Sequence, residues 1–164
     1  MIRRYYAGGR EVSLEPESDR VAIHTGRSAQ LPPAVREAVE GGARMPNGIV
    51  VVARDAIPAA ALRELVATGV AQTIYRHGDA TTIPLPEVRV EFDDVAERGR
   101  VATALRDSPV EVDVVEEDDS RLVLRPRSGR GDDALDLASF VFERAHPAAA
   151  SPRMVQIVRR PGMK

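Results

Sequence analysis

The sequence predicts an α+β protein built from two packed halves. The second half is expected to be a ferredoxin-like β-α-β-β-α-β unit, and the first a smaller α/β subdomain that starts with a β-hairpin. Three observations carry this expectation. Glu87 to Asp93, "EVRVEFD", alternates strictly, which is the period of a half-buried strand. "DDALDLASFVFERA" repeats apolar residues at helical spacing through Leu135, Ala138, Phe142 and Ala145. "TIPLPE", Thr82 to Glu87, places two prolines between the patterns and marks a division into residues 1–86 and 87–164. That stretch is too short for a free linker, so the halves are expected to pack together.

In chain order, residues 1–25 read as short β pieces punctuated by "AGGR" and "EPESD", with Val21 and Ile23 in a brief strand. "LPPAVREAVEGG" is a helix with prolines in its first turn and glycines at its end. Asn47-Gly48 is a turn, and Ile49 to Ala53 is a continuous apolar strand. A second helix opens at Ile57-Pro58, runs through Leu62, Leu65 and Val66, and closes at Gly69. Val70 to Tyr75 is another strand.

Beyond Glu87, Asp94 is positioned to cap a helix running to about Asp107. Glu111 to Glu116 is a strand, "EDDS" a turn, and Arg121 to Arg125 the returning strand. Asp132 and Asp133 favour the positive end of the last helix, which His146-Pro147 stops. Met154 to Arg159 is the final strand. Right-handed crossovers then give a four-stranded antiparallel sheet with both helices on one face and the last strand on an edge beside the first. "ESDRVAIHT" and "LPEVRVEFD" echo each other weakly, the pattern two diverged copies would leave.

The composition sets limits. The 164 residues are 43% hydrophobic and 29% charged, ordinary for one good core or two small ones. A net charge of -2 gives no reason to expect nucleic acid or an anionic membrane as partner. With three Tyr, three Phe and no Trp, the core has to be aliphatic. The absence of cysteine removes disulfides and thiolate metal sites. No apolar run follows the early arginines, and no stretch approaches the ~20 apolar residues of a membrane span. The expected location is cytoplasmic as the chain stands, or extracellular if it is an excerpt of a longer exported precursor.

Catalytic and cofactor motifs are not found. There is no G-x-S-x-G, and His24, His77 and His146 stand far apart without metal-ligand spacing. The glycine turns lack phosphate-cradle spacing, and "RGD" at Arg130 to Asp132 is a helix entry. Phe92 is the aromatic on the strands that would stack RNA bases, and its register points inward. The chain is therefore read as no enzyme, with no cofactor and no metal. The outer sheet face is expected to carry Arg89, Glu91, Asp113, Val115, Val123, Met154 and Gln156, together with Glu111, Arg121, Arg125 and Val158. Its apolar members fit either plain β-propensity or a docking patch with a polar rim.

Two stretches carry a resemblance. "RRYYAGGREVSLEPESDRVAIH" resembles the opening of the N-terminal propeptide-like region of fervidolysin-type subtilisin-like serine proteases. "GDDALDLASFVFERAHPAAASPRMVQIV" is similar to that region's end. The chain departs from the family by lacking the catalytic domain and its motifs, and by carrying "AAASPRMV" where the family has an A-x-P-N-F element. The resemblance implies a prodomain that helps a protease fold and then blocks it. The partner, in cis or in trans, would be a subtilisin-like serine protease. The sheet face would pack on it, and the segment Val158, Arg159, Arg160, Pro161, Gly162, Met163 and Lys164 would lie in its cleft like a substrate. A reading from a different class is an ACT-like regulatory module that binds a small molecule between strand and helix.

Overall fold

The computed structural model describes residues 2–26 and 31–158. Among the described residues, nine strands form one large, curled antiparallel sheet, accompanied by four α-helices. In the first half, β1 (Arg3–Ala7) and β2 (Arg10–His24) make a hairpin across Gly8-Gly9, both at positive φ as the tight turn needs. Then come α1 (Pro33–Glu40), β3 (Ala43–Met45), β4 (Ile49–Ala53), α2 (Ala59–Ala67) and β5 (Ala71–His77). The strand order is β3-β4-β2-β5, and α1 and α2 cover one face through Val35 and Leu65, with Ile57 just before α2, packed on Val21, Ile23, Val50 and Val52.

Arg3 to His24 thus form one hairpin with a 15-residue second strand rather than several short pieces. The expected turn at "EPESD" is a bulge in β2: Pro16 pairs with Tyr75 and Val21 with Thr73, and the residues between swing out of register. Arg20 donates to Glu17 across that bulge at 3.0 and 2.8 Å.

The stretch expected to divide the halves lies inside β6 (Ala80–Glu91). This strand pairs with β5 at its start and with β8 (Arg121–Pro126) at its end. Along its other side it pairs throughout with β9 (Ala149–Val158). Its prolines sit where the register of the β9 pairing shifts, between Pro84 and Val88, so they bend a strand instead of ending one. Between β6 and β8 lie α3 (Val95–Arg106) and β7 (Val112–Glu117), and α4 (Gly131–Ala145) precedes β9. The strand order in this half is β9-β6-β8-β7, all antiparallel. Val88, Val90, Phe92, Leu122, Leu124 and Ala150 share a core with Val101 and Ala104 of α3 and with Ala138 and Val141 of α4.

Capping follows the expected chemistry at α3. The Asp94 carboxylate accepts from the Glu97 amide at 2.8 Å, and Glu97 accepts from the Asp93 amide at 3.0 Å. The last strand starts five residues before the expected Met154, because pairing with β6 orders a stretch of modest β-propensity; Pro152 is tolerated on a strand bonded along one side. No helix among the described residues is long and apolar enough to cross a membrane.

The helix α4 holds the two halves together. Ala134, Leu135, Leu137, Ala138, Val141 and Ala145 are all buried, more than one helical stripe. One side meets the sheet of the second half, and another meets β1. Leu135 joins Tyr5, Leu14 and Tyr75 in a cluster drawn from both halves. On the opposite face of the sheet, Ala22, Ile49, Val51 and Ile74 pack against Ile83, Leu85 and Val155.

Candidate partner-docking surface and its anchor

The outer face of β9-β6-β8-β7 follows from strand parity. Val88 and Val90 point into the core, so Arg89 and Glu91 point out, and both are exposed. Register places Ser151, Arg89, Val123 and Glu116 in one row across the four strands. Asp113 faces Arg125 at the rim, and Arg127 donates to Asp113 at 2.9 Å. Arg121 donates to Glu116 at 2.8 Å. Such exposed pairs contribute little stability but fix a pattern of alternating charge.

The apolar part of the expected docking face needs correction. Val115 is 49% exposed and has no partner on β8, because the register shifts between Val114 and Glu116. Val123 is only 6% exposed: its cross-strand neighbours are the long side chains Arg89 and Glu116. Met154 does not point outward. It packs against the cluster of Tyr5, Leu14, Tyr75 and Leu135, because it stands in the same alternation as Ala150 and Pro152, which lie opposite the core residues Val90 and Val88. Gln156 is exposed. Val158 ends β9, and Arg159, Arg160, Pro161, Gly162, Met163 and Lys164 lie outside the described residues.

The face ends at a cleft of about 280 Å³ against the first half, where His24 and Asn47 stand opposite Leu85, Pro86, Glu87, Arg125 and Arg153. Glu87 pairs with Arg125 at 3.6 Å and with Arg153 at 3.2 Å, so one carboxylate ties β6 to both of its neighbours. The sequence reading missed Glu87 and Arg153 as members of this surface. The parity of Glu87 with Arg89 could have placed the first; Arg153 depends on the register of β9, which no local signal sets. His24 lies in this wall, buried at the end of β2, with its amide donating to the Val70 carbonyl at 2.8 Å.

Behind the face, polar side chains anchor the start of α4. Tyr75 donates to Asp132 at 2.7 Å and Thr73 donates to the same carboxylate at 3.3 Å. Arg3 donates to Asp136 at 2.6 Å and stands 3.8 Å from Asp132. Burial, then the hydrogen bond to Asp132, pushes the Tyr75 phenol above its ordinary value. Burial works to lower the Arg3 pKa, but the bond to Asp136 and the Asp132 charge outweigh it and raise it. Gln72 completes the anchor. Its amide nitrogen donates to the carbonyls of Gly69 at 2.9 Å and Gly129 at 3.1 Å, and its oxygen accepts from the Gly131 amide at 2.7 Å. A Cβ on Gly131 would collide with the Pro84 carbonyl, so only glycine lets α4 begin this close to β6.

These groups are satisfied by one another and form a structural joint, with no nucleophile and base set against an open cavity. Among the described residues, no group of three or more His, Asp or Glu is placed to hold a metal ion. Comparison with protein-family models, with curated proteins and with solved structures finds no match to the chain.

Proposed function

We propose that the chain is a non-catalytic partner of a subtilisin-like serine protease, acting as a prodomain-type inhibitor and folding chaperone. The observation that carries this reading is the position of β9. Among the described residues it pairs along one side only, with β6, and runs to Val158 directly before the basic segment "RRPGMK". An extended segment leaving an edge strand can add to the strands of a cleft through main-chain hydrogen bonds. Anchoring its root in a sheet lowers the ordering cost of binding. Pro161 after Arg160 makes that bond a poor one to cleave. The order β9-β6-β8-β7, with α3 and α4 on one face, supports describing the second half as a ferredoxin-like unit.

The outer face would supply the rest of the contact. Its exposed residues are mainly Arg89, Glu91 and Asp113 around Val115, so that contact would be largely polar and sensitive to salt. No cofactor is required. The test is to mix the protein with a subtilisin-like protease and follow peptide hydrolysis. The full chain should inhibit, and a version ending at Val158 should inhibit at least about tenfold less, the equivalent of ~1.4 kcal/mol of tail binding. Equal inhibition by both versions removes the tail mechanism, and no inhibition by either removes the function.

A further inference from the structure

The opposite edge of the same sheet is built to accept a strand. Among the described residues, β7 pairs only with β8, so its second side is open. The Arg127 amide donates to the Glu111 carbonyl at 2.9 Å, which makes that pair a bonded position of the ladder. Bonded positions alternate in an antiparallel ladder, so Asp113 bonds toward β8 while the main-chain groups of Val112 and Val114 point to the open side.

Beside this edge, between β7 and the end of α3, runs a groove of about 330 Å³. Leu105, Val110, Val112 and Val114 line it, with Arg106 and Arg127 at its rim. Val114 is 52% exposed although it is a valine on the helix side of a sheet. An open strand edge flanked by an apolar groove and a helix offers what strand addition uses: main-chain bonds for affinity and a groove for alternate side chains.

Charge selects the occupant. Glu111 lies just before β7, Asp113, Glu116 and Glu117 on it, and Asp118 and Asp119 in the turn after it. Arg127 pairs with Glu111 and Asp113, Arg121 with Glu116, and Arg98 with Glu117 and Asp119. Even with Arg106 and Arg125 counted, the latter opposite Asp113, six carboxylates stand against five guanidiniums, an excess of one negative charge. Two copies of β7 facing each other would set these carboxylates against their like, which disfavours self-pairing.

We propose that β7 is a docking edge for an extended, basic segment of a partner protein, one in which β-branched residues alternate with arginine or lysine. The β-branched side chains enter the groove beside Val112 and Val114, and the cations meet the carboxylates of β7 and the turn after it. This edge lies across the sheet from β9, so the proposal stands or falls independently of the protease reading.

The experiment uses the full chain, titrated with a short synthetic peptide alternating valine with arginine and with its valine–glutamate counterpart. Binding is read by fluorescence anisotropy and by amide NMR shifts. The arginine peptide should bind, weaken with salt and shift the amides of β7; the glutamate peptide should not. Val114→Pro removes an outward donor without touching the ladder to β8, and should weaken binding about tenfold. Asp113→Lys should weaken the arginine peptide and improve the glutamate one, and it carries the test if the proline variant fails to fold. No binding of the arginine peptide, equal binding of both peptides, shifts confined to other strands, or unchanged binding by folded Val114→Pro would each overturn the proposal.

Discussion

At the scale of single residues, Gln72 has a role out of proportion to its size. It is 2% exposed, and it joins the turn after α2 to the entry of α4 through three hydrogen bonds. A buried polar group left without its partner costs ~1–3 kcal/mol. Gln72→Leu keeps the side chain's bulk but strands the Gly131 amide, and is expected to destabilise the protein by about 2–4 kcal/mol, measured by urea unfolding. In the sequence, "AQT" within an otherwise apolar strand hints that Gln72 is unusual, but nothing there names its partners. Two of them lie close to 60 positions further on, in the loop before α4. Asp132 is a similar case. It reads as one of two helix-start acids, whereas the fold makes it the shared acceptor of Tyr75 and Thr73.

At the scale of elements, β1 acts as a strap across α4. Arg4 donates to Glu143 at 3.0 and 2.6 Å, and Tyr6 donates to the same carboxylate at 2.8 Å. Tyr6 also stacks on Phe142, with ring centroids 4.4 Å apart, and Ser139 donates to the Arg4 carbonyl at 2.7 Å. Partial burial alone would raise the Glu143 carboxyl, but the hydrogen bonds from Tyr6 and Arg4 outweigh it and hold it below the ordinary glutamate range. A carboxyl depressed in the folded state contributes stability above its unfolded pKa of ~4.3, and loses it as pH falls through the lower folded value. The protein should therefore be more stable than Glu143→Gln at neutral pH, and the gap should close in acid. Thermal unfolding of both proteins across that range measures this, and a gap independent of pH would show that the strap holds by packing alone. The helix period of α4 was legible in Leu135, Ala138, Phe142 and Ala145. The burial of Leu137 and Val141 was not, because it depends on α3 and on strands more than ten positions away closing around that side of the helix.

At the scale of the whole molecule, β6 decides how the halves behave. A strand shared by both parts of the sheet cannot be divided between them without breaking ladders on both sides. The cluster of Tyr5, Leu14, Tyr75 and Leu135 also spans the division. The chain should unfold in a single transition, with fluorescence and circular dichroism coinciding. Pieces 1–86 and 87–164 should each fail to fold alone and should recover structure only when mixed. A cooperative transition in either isolated piece would contradict this.

What the sequence determined by itself is local: the strand alternation of Glu87 to Glu91, the capped helix after Asp94, the helix after Arg130, the turn at Gly8-Gly9 and the absence of cysteine chemistry. Each rests on neighbours within a few positions, so composition and period suffice. The tertiary structure alone decided that the two prolines of "TIPLPE" bend a strand instead of dividing the chain, and that Met154 turns inward. It also decided that Val123 is covered and that Gln72 and Asp132 lock α4 in place. Those outcomes depend on pairing register and on contacts between distant segments, where a shift of one residue exchanges the two faces of a strand.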